Sequence, residues 1–321
     1  MKYYINPNAT VWHGRISNKH LYLHEKIQCV PLDEITVPPK KSIALLGYSC
    51  EEGVKRNQGR VGTANGPKAI KSSLAKFPNH LPNTTLFHDV GAVVCKNGYL
   101  EAAQEVLSKA VMTLLEKKQF PIVIGGGHDM AYGHYRGIKN HLDSKKNKQT
   151  IGIINFDAHF DLRKNTNGNT SGTPFYQIAK ESKEKGTHFN YLCLGIRKDA
   201  NDRTLFQTAK ELDVTYVLSD TFHTHFLDEI NTWINAFIKT VDTVYVTIDL
   251  DGFSSAYAPG VSAPSPMGFT PQIVVECLKT IIGSGKLISV DIAEMNPKFD
   301  IDGQTAKLAA SLIHHIMHTI Y

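Results

Sequence analysis

The stretch "IGIINFDAHFDLR", residues 151 to 163, decides how this chain is read. Its first residues form a continuous apolar run, the pattern of a strand covered on both faces rather than on one. Asp157, His159 and Asp161 then follow at alternating positions, where burial should be ending. A polar set placed there either decorates an ordinary loop or converges on something that needs several hard ligands.

Similar apolar runs recur along the chain: "SIALLGYS" (42–49), "PIVIGGG" (121–127), "NYLCLGI" (190–196), "VTYVLS" (214–219), "TVYVTIDLD" (243–251) and "KLISVDIAEM" (286–295). Between them lie segments of helical periodicity, clearest in "YLEAAQEVLSKAVMTLLEKKQ" (99–119) and repeated at 129–140, 202–212, 221–239, 270–283 and 304–319. Strand and helix alternate, which predicts an α/β fold: a three-layer α/β/α arrangement around a mostly parallel sheet. The 321 residues, 42% hydrophobic, suffice for one large core, so residues 1–321 are read as one domain. Residues 1–40, ending in "TVPPKK", read as a loop-rich lead-in packed on it.

Composition excludes several classes. The net charge of +5 is mild, and the densest basic run, "SKKNK" at 144–148, has no interleaved aromatics and reads as a solvated loop, not a nucleic-acid surface. No apolar run approaches membrane-spanning length, and the N-terminus lacks a signal-peptide core. The five cysteines (Cys29, Cys50, Cys95, Cys193, Cys277) are scattered without CxxC spacing, which suits a reducing compartment and offers no thiolate metal site. Cys193, inside "YLCLGI", is expected to be a buried thiol. A cytoplasmic protein without nucleic-acid or membrane partners is the expectation.

In open α/β sheets, function gathers beyond the carboxyl ends of the strands. Four of the predicted strands end in acidic or His residues. They deliver His128; Asp157, His159 and Asp161; Asp249 and Asp251; and Glu294. Taken singly, "GGGH" is an ordinary turn and "DLD" an ordinary helix cap. Together they bring two imidazoles and several carboxylates to one sheet edge, and that much negative charge calls for a cation. Oxygen and imidazole donors without thiolate favour Mg, Mn or Zn. Six ligands exceed what one catalytic ion uses while keeping an open position. Two ions sharing carboxylates, with a hydroxide nucleophile between them, fit better.

These residues resemble the ureohydrolase family, the manganese enzymes that include arginase, agmatinase and formimidoylglutamase. The resemblance spans about 42–319 and rests on "GGGHD", "DAHFD", "DLDGF…APGVSAPSP", "DIAEMNP" and "GVKRNQGRVGTANGPKAI" (53–70). It implies the arginase/deacetylase fold, a small-molecule substrate, two Mn2+ ions per subunit and a homo-oligomer, trimer or hexamer. One ion would be held by His128 and Asp161, the other by His159 and Asp251, with Asp157 and Asp249 bridging. Glu294 matches the carboxylate that pairs with a substrate amidinium or guanidinium.

Two departures point to a branch. Ser171, in "NTSGTPFYQ", stands where arginases and agmatinases carry a His, and Arg163 stands where arginase has an Asn. A buried Arg matches a carboxylate bidentately and repels a cationic tail. "HFDLR" with "SGTPF" is similar to formimidoylglutamases, which cleave N-formimidoyl-L-glutamate to L-glutamate and formamide in histidine degradation. That resemblance implies attack of a metal-bridging hydroxide on the formimidoyl carbon, Asp161 as proton relay and Glu294 holding the amidinium. Arg163 would hold one glutamate carboxylate, with Arg60 and Asn57 as candidates for the other; Arg60 is equally open to a structural role. A hydrolase of carboxylate-bearing guanidino compounds, and a catalytically silent metal-binding protein on the same fold, are the alternatives. His314, His315 and His318 read as a helix face, and His223 and His225 as groups at a helix entrance. The three glycines of "GGGH" lack the Lys-Ser/Thr of a phosphate loop and are expected to let the backbone turn tightly.

Overall fold

The computed structural model describes residues 2–17, 19–145 and 148–321. The basic run at 144–148 therefore lies partly outside the described residues. The strands are β1 Tyr4–Ile5, β2 Gln28–Cys29, β3 Ser42–Ser49, β4 Leu86–Val94, β5 Phe120–Gly125, β6 Ile151–Phe156, β7 Asn190–Ile196, β8 Thr215–Leu218, β9 Thr243–Asp249 and β10 Leu287–Ala293. The helices are α1 Leu23–Lys26, α2 Glu52–Arg56, α3 Gly66–Leu74, α4 Leu100–Glu116, α5 Met130–Asp143, α6 Pro174–Glu184, α7 Arg203–Glu211, α8 Leu227–Lys239, α9 Pro271–Gly283 and α10 Gln304–Thr319. Among the described residues the strands form one sheet in the order β1-β4-β3-β5-β10-β9-β6-β7-β8, with β2 also on β4. Only β1 runs antiparallel to its neighbour.

Alternation along the strands divides the core into two layers. Ile122 and Ile124 of β5 and Val244, Val246 and Ile248 of β9 join α3, α8, α9 and α10. Val123 and Tyr245, pointing the other way, join α4, α5, α6 and α7. This is the expected three-layer α/β/α arrangement. Cys193 of β7 is fully buried, as its apolar setting predicts.

The sequence reading omits β4, α3 and α6. In β4, "LFHDVGAVV", a His and an Asp interrupt the apolar run. The structure shows what Asp89 does there: it accepts from Lys71 Nζ at 2.5 Å and from Trp12 Nε1 at 2.8 Å, all buried. A buried charge without a partner costs several kcal/mol, so this pair and the indole stand or fall together. The lead-in is thus tied to the sheet through Trp12, and β1 and β2 share the outer edge of β4. The apolar run at 243–251 also shortens: β9 ends at Asp249 and a tight turn, Leu250–Gly252, follows.

The "GGG" segment holds a different reason for its glycines than a special turn. None of Gly125, Gly126 and Gly127 has a positive φ. A side chain on Gly126 would meet Cys50 O at 2.0 Å, and one on Gly127 would meet Asp129 Oδ1 at 2.5 Å. Close approach of β3 and its following loop demands Gly125 and Gly126, and the Asp129 carboxylate crowds Gly127.

Candidate metal centre and substrate cavity

The four strands expected to carry function, β5, β10, β9 and β6, are adjacent in that order at the centre of the sheet. β5 ends at Gly125 and the chain passes through Gly126 and Gly127 into His128, and β6 turns after Phe156 into Asp157, His159 and Asp161. β9 ends at Asp249 with Asp251 one turn on, and Glu294 follows β10 directly. Chain order reverses here, since β9 and β10 return between β5 and β6. That is the place where an open parallel sheet leaves a crevice.

Two overlapping groups of donor atoms result: His128, Asp157, Asp161 and Asp249 in one, and Asp157, His159 and Asp251 in the other. Asp157 belongs to both. His128 Nδ1 lies 2.9 Å from Asp161 Oδ2, 3.0 Å from Asp249 Oδ2 and 3.3 Å from Asp157 Oδ2. His159 Nδ1 lies 3.4 Å from Asp157 Oδ1 and 3.3 Å from Asp251 Oδ1. His128 Nδ1, Asp251 Oδ1 and Glu294 Oε2 are buried and make no hydrogen bond among the described residues. Buried polar atoms are otherwise almost always paired. An imidazole nitrogen facing three carboxylate oxygens, all of them acceptors, is the donor set of a hard divalent cation, so these residues fit the two-ion expectation. Asp249, expected to be shared as well, joins the His128 group, and its Oδ1 accepts from Asp251 N at 2.8 Å as Asp157 Oδ1 accepts from His159 N at 2.7 Å. Asp157 is the residue common to both groups.

The loop geometry is held from outside the ligands. Asn155 Nδ2 donates to Asp157 Oδ2 at 3.1 Å and to Tyr191 OH at 2.9 Å, and Tyr191 OH donates to Phe160 O at 3.0 Å. Asn201 Oδ1 accepts from Phe160 N at 3.0 Å, and its Nδ2 donates to Ala158 O and Arg197 O, both at 2.8 Å. Phe156, Ala158 and Phe160 are fully buried. The polar-apolar alternation of "FDAHFD" is therefore a loop anchored by its odd partners. Asp161 and Glu294 adopt positive φ (49° and 67°), backbone states that cost energy and collect at functional sites. Glu294 is fixed by its N–H on Gly126 O at 2.9 Å and by Oε1 accepting from His128 N at 2.8 Å.

The electrostatics of the cluster favour positive charge at these donor atoms. Burial lowers the His128 pKa, but the carboxylates of Asp249, Asp157 and Asp161 outweigh it and hold the ring well above its usual value. Burial likewise opposes His159, which Asp251 and Asp157 raise. Burial pushes Glu294 and Asp251 well up, helped by the charge of Asp249. Burial and the Asp157 charge raise Asp161 to about 6. Asp157 alone goes down: His128 and His159 overcome its burial.

Above the donor atoms lies a cavity of about 330 Å³ whose lining includes Asn57, Arg60, Arg163, Ser171, Asn201 and Glu294. All the residues expected to bind substrate therefore border one space, though not as expected in detail. Arg163 is exposed at its mouth rather than buried, and among the described residues its guanidinium makes no hydrogen bond or ion pair. Exposure follows from its place two residues past Asp161, beyond the last buried residue, Leu162. The Arg60 guanidinium is already engaged, donating to Ser262 O (3.0 Å) and Val261 O (2.6 Å) and stacking on Phe299. It braces the cavity wall. Asn57 is exposed, with Oδ1 3.5 Å from Thr170 Oγ1. Ser171 is buried and bound through its amide to Gly53 O at 3.1 Å. Asn155, Tyr191 and Asn201 had no signal in the sequence beyond their nearness to strand ends.

His314 and His318 do not form a site. His314 Nε2 is 2.8 Å from Pro78 O, and His318 uses Nδ1 on His314 O and Nε2 on the His80 amide. His223 and His225 precede α8, as expected.

The chain is similar to known proteins. A model of the arginase family matches residues 41–319. A formimidoylglutamase of Clostridium tetani is 40% identical over 98% of this chain and 95% of its own length, and one of Chromobacterium violaceum is 42% identical over 94% and 95%. A Trypanosoma cruzi formiminoglutamase structure with Mn2+ superposes with a TM-score of 0.76 at 24% identity, covering 90% of this chain and 98% of that one. An arginase structure from Bacillus subtilis gives 0.72 at 25% identity, over 86% and 98%. No described helix is long and apolar enough to cross a membrane.

Proposed function

Since this chain belongs to the arginase family, we propose that it is a binuclear manganese hydrolase that cleaves N-formimidoyl-L-glutamate to L-glutamate and formamide, a step of histidine degradation. The observation that carries this reading is the pair of donor groups sharing Asp157, set beneath a cavity with a free Arg163 at its mouth. The names of the relatives support it.

One ion would be held by His128, Asp161, Asp157 and Asp249, the other by Asp157, His159 and Asp251. When bound, such ions supply a water ionised at neutral pH as the nucleophile. The chain's own residues do the rest. Glu294 Oε2, left without a partner, binds the amidinium N–H groups, while Oε1 stays locked on the His128 amide. This presents the formimidoyl carbon to the donor groups. Asp161 takes up the nucleophile's proton on its carboxylate and gives it to the departing nitrogen, so the C–N bond breaks to a neutral amine. Arg163 grips a substrate carboxylate by a charge-assisted bond. Asn57 and Ser171 complete the wall on that side, with Arg60 as its brace. The protein works as a cytoplasmic homo-oligomer, trimer or hexamer, which sedimentation measures.

The test is product analysis with Mn2+-loaded protein. Glutamate and formamide in equal amounts from N-formimidoyl-L-glutamate support the reading. Urea from a guanidino acid, with no turnover of the formimidoyl compound, replaces it.

A further inference from the structure

A buried polar network lies directly beneath the candidate ligands, on the α5 side of the sheet. Thr247 and Asp291 are register partners on β9 and β10. Thr247 Oγ1 donates to Asp291 Oδ1 at 2.5 Å, and Asp291 Oδ2 also accepts from Tyr245 OH and lies 2.6 Å from His134 Nδ1. His134, on α5, puts Nε2 2.7 Å from Ser289 Oγ. Ser289 spends its hydrogen on Pro121 O at 2.7 Å, so His134 Nε2 donates to Ser289 Oγ, while the hydroxyls of Tyr245 and Thr247 both donate to Asp291. Thr247, His134, Ser289 and Asp291 are each fully buried.

The top of this network touches the metal centre. His128 Nε2 is 2.9 Å from Thr247 Oγ1. A hydroxyl has one hydrogen, and Asp291 takes it, so the bond to His128 can form only if Nε2 carries the hydrogen. In the neutral ring that ligates a cation, Nδ1 is then the nitrogen with a free lone pair, and it is Nδ1 that faces Asp157, Asp161 and Asp249. If Asp291 did not accept, the hydroxyl would be free to turn and donate to Nε2, placing the hydrogen on Nδ1 and blocking ligation.

We infer that Thr247 and Asp291, backed by His134 and Tyr245, are positioning residues that select the metal-binding tautomer of His128 and thereby set how tightly one of the two ions is held. The inference rests on the two-ion reading above. Partners that orient a ligating imidazole typically alter metal affinity by roughly 10- to 100-fold.

The experiment titrates metal-free protein with MnCl2, following free Mn2+ by its paramagnetic resonance signal, with the melting temperature of the metal-free form as control. Unmutated protein that binds no Mn2+ overturns the proposed function itself. Given two bound ions, Thr247→Val should weaken one of them roughly 10- to 100-fold and leave the other unchanged, while Thr247→Ser, which keeps the hydroxyl, restores tight binding. Asp291→Asn should weaken the same ion. Should that variant not fold, the Thr247 pair decides alone, because Val matches Thr in shape. Thr247→Val holding both ions as tightly as the parent overturns the inference, as does Thr247→Ser behaving like Val.

Discussion

His128 and His159 flank the same carboxylate, Asp157, yet their surroundings differ sharply. The side chain of His128 is 1% exposed and its second nitrogen is tethered to Thr247. That of His159 is 24% exposed, and among the described residues its Nε2 makes no hydrogen bond. One imidazole grows from the end of a central turn locked by glycine contacts; the other sits on a loop held by Asn201 and Tyr191. The difference teaches that the two halves of a paired site need not be equally preorganised. The inner half is fixed by the sheet, and the outer half is open to the cavity that substrate enters.

The sharpest way to break the comparison is to remove what the halves share. Asp157→Asn should abolish tight binding of both ions in metal analysis and lower kcat/KM on the order of 10³-fold or more. Next, His128→Asn and His159→Asn should differ after dialysis. His159→Asn protein should retain close to one Mn2+ per chain, and His128→Asn protein clearly less; equal retention would erase the distinction. Arg163→Ala lies beyond both halves, so it should keep both ions while losing roughly 10- to 100-fold in kcat/KM for the formimidoyl substrate, the worth of a charge-assisted bond.

The smallest effect is in pH. Asp161, Asp251 and Glu294 have raised carboxyl pKa values, and His128 and His159 raised imidazole ones. In each case the folded metal-free state binds protons that the unfolded chain releases at lower pH. Its stability is therefore lost as pH rises, through about 6 for Asp161 and higher for the imidazoles. The metal-free melting temperature should fall by about 5 °C between pH 6 and 8, and Mn2+ loading should flatten the slope. A metal-free melting temperature that climbs over that interval would contradict the charge balance described here.

The central strands and the candidate ligands were legible in the sequence because each candidate follows a continuous apolar run, and such runs mark buried parallel strands. His88 and Asp89 hid β4, since their pairing with Gln119, Lys71 and Trp12 is tertiary. Helix α6 was hidden by a short apolar stripe, Phe175, Ile178 and Ala179. At the site, Asp249 and Asp157 are alike in that each has Oδ1 accepting the backbone amide two residues on, from Asp251 N at 2.8 Å and from His159 N at 2.7 Å. Thr247 and Asp291 were single polar residues inside apolar strands. They acquire meaning only when the register of β9 against β10 sets them side by side. Arg163 carried the right charge at the right place along the chain, but its exposure depends on where the loop leaves the core.

The lead-in has a consequence for handling the protein. With β1 and β2 laid along β4, the 9-residue outer edge of that strand is covered, and the opposite edge of the sheet is β8, 4 residues long. A chain shortened to begin at Ser42 would keep every candidate ligand. It would also strip Trp12 from Asp89 and uncover a long, apolar, unpaired strand. Uncovered edges of that kind template pairing between molecules. The first forty residues thus guard solubility rather than chemistry, and their loss should show as aggregation before any change at the metal centre.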